Sequence, residues 1–350
     1  MSRPTPSAVC PRDAVVRSVP RARLALLLAG LTAAAALSAC SSDGEAAGPS
    51  ASSGASSSDA SSSGASASVP SGASASPTPS APPSPPPVPE LPRGGTSLFP
   101  EHLVVMHYGT AGSGVLGVLG DGTPEQAADR LEKAAAPYAA ASGRPVLPAF
   151  ELITTVASSR PGRDGQYSTG LAPSEVQRYL DVARAHHMLL VLDFQPGRAE
   201  FLDQVRRYEQ FLLQPDVGVA LDPEWKLTPA QRPLKQVGTS TAAPINAVSS
   251  YLSGLVAAHR LPEKLFLVHQ FQLRQLPDRA AIADAPGLAT VLHVDGFGAQ
   301  SDKLATYGAL ASRTPQFVNG FKLFYKADTG LMTPAQAMAL TPRPELISYQ

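Results

Sequence analysis

Hydrophobic and polar positions change rhythm several times along this chain. Residues 24–40, LALLLAGLTAAAALSAC, form one apolar run behind five arginines, Arg3, Arg12, Arg17, Arg21 and Arg23. From residue 41 to about 92 the apolar signal vanishes into Ser/Ala/Gly and then Pro-rich sequence. Beyond it, short apolar runs alternate with amphipathic stretches. The runs are HLVVMHY (102–108), VLPAFELIT (146–154), MLLVLDF (188–194), VGVALD (217–222), KLFLVHQF (264–271), ATVLHVDGF (289–297), GFKLFY (320–325) and ELISYQ (345–350). Each has the length and β-branched or aromatic content of a buried strand. Between them, PEQAADRLEKAAAPYAA, APSEVQRYLDVARAH, AEFLDQVRRYEQFL, APINAVSSYLSGLVAAH, SDKLATYGALAS and TPAQAMAL carry helical spacing, and a short helix is expected near residues 278–284. Several open with Pro or a Ser/Thr cap, as helix starts do.

Strict alternation of eight strands with helices predicts parallel strands joined by right-handed crossovers. In a segment of this size the expected fold is a single α/β domain, a (β/α)8 TIM-type barrel. A doubly wound open sheet is the competing arrangement. The sequence ends on the eighth strand, and the segment before His102 is expected to cover the place of an eighth helix. We place the boundaries at 1–39 for a signal peptide, 40–92 for a lipidated cysteine and disordered linker, and 93–350 for the barrel.

The apolar run at 24–40 is too short to span a bilayer comfortably and closes in small residues, the anatomy of a secretory signal. Leu37, Ser38, Ala39 and Cys40 resemble a bacterial lipobox. That resemblance implies cleavage before Cys40, lipid on its thiol, and a domain held at the outer face of the cytoplasmic membrane. The Ser/Ala/Gly/Pro linker lacks the apolar side chains to offset chain entropy. Stretched, it reaches on the order of 170 Å.

Composition narrows the classes. The chain has two cysteines, Cys10 and Cys40, so a mature monomer has no disulfide. Removing five arginines and Asp13 with the signal moves the formal charge from +0 to about −4. That charge argues against a nucleic-acid partner. There is no Cys/His zinc spacing, and the glycines of YGTAGSGVLGVLG fit neither a dinucleotide nor a phosphate loop. His186 and His187 close a helix, where imidazole suits the dipole, and are discounted as a metal site. We therefore expect no metal, no cofactor and a monomer.

In a barrel of this kind the chemistry sits where the strands end. The strand ends supply His107 and Tyr108; Glu151; Asp193 and Gln195; Asp222, Glu224 and Trp225; His269 and Gln270; His293 and Asp295; Lys322 and Tyr325; and Tyr349 and Gln350. Asp222 and Glu224 are two apart, so an extended backbone would point both the same way, about 6.5–7 Å apart. Paired carboxyls split their titrations. Glu224 is the expected general acid, and Asp222 its partner through a hydrogen bond or by stabilising positive charge. Trp225, the only tryptophan, offers a face for a sugar ring. Tyr108, His107, Asp193, Gln195, Glu151, His269, Gln270, Asp295, Lys322 and Tyr325 are the expected substrate contacts. A purely structural account has Asp222 capping the loop, Glu224 paired with Arg198 or Lys226, and Trp225 covering the barrel edge. His269 and His293 lie within apolar strands and read first as hydrogen-bonded core residues.

The D-x-E of LDPEW is similar to the end of the acidic motif on the fourth strand of chitinase-like glycoside hydrolase barrels, and to the D-x-E of bacterial muramidase barrels. In both the glutamate donates the proton, which the resemblance maps onto Glu224. The chitinase-type pattern has further aspartates upstream, where this chain has Val217 and Ala220. The ordered series YGT, PAFEL, DFQPGR, LDPEW, VHQF, VDGFG and GFKLFY resembles a group of secreted actinobacterial lipoproteins of unassigned activity. Together these imply a cell-surface barrel acting on an envelope or extracellular glycan. A non-catalytic saccharide- or wall-binding barrel, and a lyase or aldolase using Lys322, are the alternatives.

Overall fold

The computed structural model describes residues 87–350. The expected signal peptide, Cys40 and nearly all of the linker lie outside these residues. Among the described residues no helix is long and apolar enough to cross a membrane.

All eight expected strands form. They are β1 (Leu103–Gly109), β2 (Val146–Ala157), β4 (Leu189–Phe194), β5 (Val217–Leu221), β6 (Lys264–Gln270), β7 (Leu288–Val294), β8 (Val318–Leu323) and β9 (Leu346–Tyr349). Every neighbouring pair in the order β1-β2-β4-β5-β6-β7-β8-β9 is parallel, and β9 pairs with β1. The sheet closes, so this is a TIM barrel and not an open sheet. β2 overruns the barrel, and its last residues pair antiparallel with the short β3 (Ser168–Gly170). Helices α1 (Pro124–Ser142), α2 (Pro173–Ala185), α3 (Phe201–Arg206), α4 (Glu209–Leu212), α5 (Ala242–His259), α6 (Gln300–Leu310) and α7 (Pro334–Met338) fill the connections. The stretch 199–212, expected as one helix, breaks between α3 and α4. β6 and β7 are joined through 3-10 turns only.

Local chemistry sets these boundaries. α1 starts at a Thr123/Gln126 capping box with Pro124 in the first turn, and stops at Gly143 in the left-handed conformation. Inside the barrel, period-two alternation sorts the strand residues. Val104, Met106, Leu147, Ala149, Leu189, Val191, Ala220, Leu265, Leu267, Ala289 and Val291 form the inner apolar layer. Their alternate neighbours, such as Leu103, Val105, Leu190, Val219 and Phe266, pack outward against the helices.

The segment before His102 does not cover an outer gap. Leu91 and Leu98 join the inner layer at the N-terminal end of the strands. Leu98 N–H donates to Glu263 Oε2 at 2.6 Å, and Arg93 Nη1 donates to the Val146 carbonyl at 3.1 Å. An apolar pair on a short turn stoppers the barrel floor, because open strand ends there would leave the inner layer wet. Packing thus begins at Leu91, two residues ahead of Arg93. On the outside, α7 packs against α1 beside β9 and β1.

Candidate active site

Above the apolar layer the same inward parity turns polar. Tyr108, Glu151, Asp193, His269, His293, Lys322 and Ser348 continue the inward columns of their strands, with Asp222 and Asp295 just past the ends of β5 and β7. All are nearly inaccessible. A polar layer buried this deeply is costly unless its members satisfy one another.

His269 is its centre. Its Nε2 lies 2.8 Å from Glu151 Oε1 and its Nδ1 lies 3.1 Å from Asp295 Oδ2. Lys322 Nζ stands 4.0 Å from the same Asp295 oxygen and 3.5 Å above the Tyr108 ring centroid, a cation–π contact. Tyr108 donates to Asp193 Oδ2 at 3.3 Å and accepts from Gln195 Nε2 at 3.1 Å, while Gln195 Oε1 takes the Ala157 N–H. His293 stacks obliquely on His269 with centroids 4.6 Å apart, and its Nε2 meets Ser348 Oγ at 2.8 Å. Gly320 makes room for that ring: a Cβ there would lie 3.0 Å from His293 Cδ2.

Asp222 and Glu224 reach the site by another route than simple alternation. β5 ends at Leu221, and Pro223–Trp225 form a 3-10 turn. The extended spacing expected of the pair is therefore replaced by a turn, which Pro223 at its first position favours. The turn is pinned from below: Gly238 N–H donates to the Glu224 carbonyl at 2.5 Å, and Leu227 N–H to the Gly197 carbonyl at 2.7 Å. A side chain at Gly238 would meet the Lys226 carbonyl oxygen at 2.3 Å, so close backbone approach requires glycine there.

Charge decides which carboxyls hold protons. Glu151, Asp193, Asp222, Glu224 and Asp295 share the layer with two cationic groups, His269 and Lys322. Full ionisation would leave a surplus of three negative charges. Three of the five are shifted toward their protonated forms. Burial, with the field of Glu151, pushes Asp193 up to about 7. Burial and the field of Asp295 push Glu224 up to about 8. Burial and the adjacent Glu224 hold Asp222 well above the carboxylate range. Asp295 moves the other way: burial opposes its charge, but the bond to His269 and the nearby Lys322 keep it below the usual range. Burial likewise opposes charge on His269, and its two carboxylate partners outweigh it, so the ring is an imidazolium. His293 is neutral, through burial and the charge of His269.

Several expected contacts lie elsewhere, and parity explains most of them. His107 shares the outward face of Leu103 and Val105. It sits between Tyr325 and Tyr349, and burial with the charge of Arg130 lowers it to about 3. Gln270 also faces outward, accepting from Arg279 Nη1 at 2.9 Å. Tyr325 stacks on Tyr349 outside the barrel, 41% exposed. Trp225 is buried at 7% exposure and offers no open face to a sugar, although its indole N–H has no partner. The structural account of Glu224 does not hold either. Arg198 bonds the Gln231 carbonyl and covers the Tyr167 ring, and Lys226 pairs with Glu200 at 2.7 Å. Among the described residues, no side chain hydrogen-bonds the Glu224 carboxyl. The residue that sequence reasoning undervalued is Ser348, whose signal was its inward parity with Leu346.

No known protein-family model matches the chain, and no curated protein matches it. Among solved structures it is similar to a GH18 chitinase from Pseudoalteromonas aurantia, with 12% identity and a TM-score of 0.32 over 70% of this chain and 93% of that one. It is also similar to an oxaloacetate acetylhydrolase in complex with the inhibitor 3,3-difluorooxalacetate, with 12% identity and a TM-score of 0.27 over 71% of this chain and 75% of the other. Likenesses at these TM-scores carry no argument, and the barrel rests on its own strand order.

Proposed function

We propose that the barrel hydrolyses a glycosidic bond, with Glu224 as the general acid. The observation that carries this reading is a carboxyl at the barrel mouth, pushed up to about 8, with no side-chain partner among the described residues. A group that keeps its proton at neutral pH and has not spent it on a neighbour is suited to protonate a leaving oxygen. Asp222 is protonated too, so it orients Glu224 or a substrate hydroxyl instead of stabilising positive charge. That second task fits Asp295, which stays ionised. Glu151 Oε2, Asp193 Oδ1, Asp222 Oδ1 and Asp295 Oδ1 are buried without partners. A hydroxyl-rich ligand would complement such a set. We place this activity at the outer face of the membrane, tethered through lipid on Cys40 and acting as a monomer on an envelope or extracellular glycan.

The depth of the polar layer favours a second reading, a barrel that binds a saccharide without cleaving it. Lys322 points inward but is engaged by Tyr108 and Asp295, so the lyase reading draws no support. The deciding experiment incubates the chain and its Glu224→Gln variant with purified cell wall and an oligosaccharide panel, and counts new reducing ends. Release by the parent alone, with binding retained in the folded variant, supports the acid. Binding by both without release replaces hydrolysis with recognition.

A further inference from the structure

We propose that Glu151, His269 and His293 form a binding site for a divalent transition metal such as zinc. The site lies in the same polar layer as the proposed hydrolytic residues, but it is argued and tested without the glycosidase reading. One ligand-capable atom from each residue lies within 4.8 Å of the other two, and all three residues are buried. Two imidazoles and one carboxylate are a donor set for zinc or a related transition metal, not for magnesium or calcium.

The surroundings are those a metal site requires. A metal-binding histidine usually donates its other ring N–H to a carboxylate or another acceptor, which fixes the tautomer. Asp295 Oδ2 stands 3.1 Å from His269 Nδ1, leaving Nε2 turned toward Glu151 Oε1. Ser348 Oγ stands 2.8 Å from His293 Nε2, leaving His293 Nδ1 buried with no partner. Glu151 Oε2 is likewise buried and unpartnered. Two of the three residues thus hold a free, fully buried acceptor atom, and each histidine has its other nitrogen occupied by a neighbouring oxygen.

Zinc at about 2.0–2.1 Å from each donor needs donor separations of roughly 3.4 Å. Binding therefore draws in a donor pair near the 4.8 Å limit by up to about 1.4 Å and eases His269 Nε2 and Glu151 Oε1, 2.8 Å apart, slightly outward. Three protein ligands leave a fourth position open, the arrangement of reactive and not of purely structural zinc.

The test uses the full chain stripped by chelator, then titrated with zinc chloride and followed by calorimetry and elemental analysis after dialysis. Cobalt(II) absorption provides an independent readout of tetrahedral nitrogen/oxygen coordination. The parent is expected to retain one zinc per chain with a raised Tm, and His293→Ala to weaken binding by roughly 100-fold or more. Glu151→Gln should do the same. A second, exposed cluster of Asp129, Glu132 and His186 provides the control. If His186→Ala abolishes binding while His293→Ala leaves it intact, the metal is a surface ion and the proposal falls. A parent that retains no zinc and gives no tetrahedral cobalt spectrum overturns it outright, whatever the variants do.

Discussion

Replacing Glu224 with glutamine tests the electrostatic account of the site without needing a substrate. Glutamine is nearly isosteric with the protonated acid and cannot ionise. Glu224 has an ordinary value of 4.5 and is raised to about 8 in the folded chain. The sign follows from proton binding. Between these values the folded state keeps a proton the unfolded state has lost, so the contribution is fully present below about pH 4.5 and disappears as pH rises through about 8. Each pH unit inside the window is worth about 1.4 kcal/mol, at most about 5 kcal/mol across it. At about 2 °C per kcal/mol for a domain of this size, that corresponds to roughly 10 °C in Tm at most. Thermal unfolding of parent and Glu224→Gln, followed by circular dichroism from pH 4.5 to 9, should give curves that meet at the acid end. They should diverge from about pH 5 upward, with the variant the more stable at pH 8. Parallel curves would refute the claim that Glu224 is held protonated, and the proposed general acid would go with it.

Two further tests probe what frames the site. Gly320→Ala places a methyl 3.0 Å from His293 Cδ2 and Val291 Cγ1; overpacking of this kind costs about 1–3 kcal/mol, read as a lowered denaturant midpoint with unchanged slope. Lys264, at the barrel floor, donates to the Gln214 and Val217 carbonyls, and burial lowers it to about 7 from 10.5. The unfolded chain then binds the extra proton between those values, so this residue makes stability rise with pH. Lys264→Met should abolish that upward slope above pH 7 in thermal unfolding, and an unchanged slope would refute the assignment.

How much of this was legible beforehand is a question of which periodicity was applied. The eight strands and their alternation with helices could be read because each strand is apolar on both faces, the mark of a parallel sheet buried between its own interior and a helical shell. The same property hid the site's inner boundary. A run such as HLVVMHY shows no polar face to set parity, so His107 and Tyr108 looked equally able to enter the mouth. Parity is nevertheless fixed once one inward residue is known. Val104 and Met106 in the inner layer send Tyr108 in and His107 out, and Leu265 and Leu267 do the same for His269 and Gln270. Trp225 failed for a different reason: the 3-10 turn after Asp222 rotates each side chain by about 120° instead of 180°, so extended alternation no longer applies. The partners of His269 were out of reach altogether. Glu151 and Asp295 come from strands 118 and 26 residues away, and barrel closure brings them to one ring. A sequence shows that charges gather at strand ends; the closed register decides which of them must share protons, and in this barrel Glu224 is among those pushed toward the protonated form.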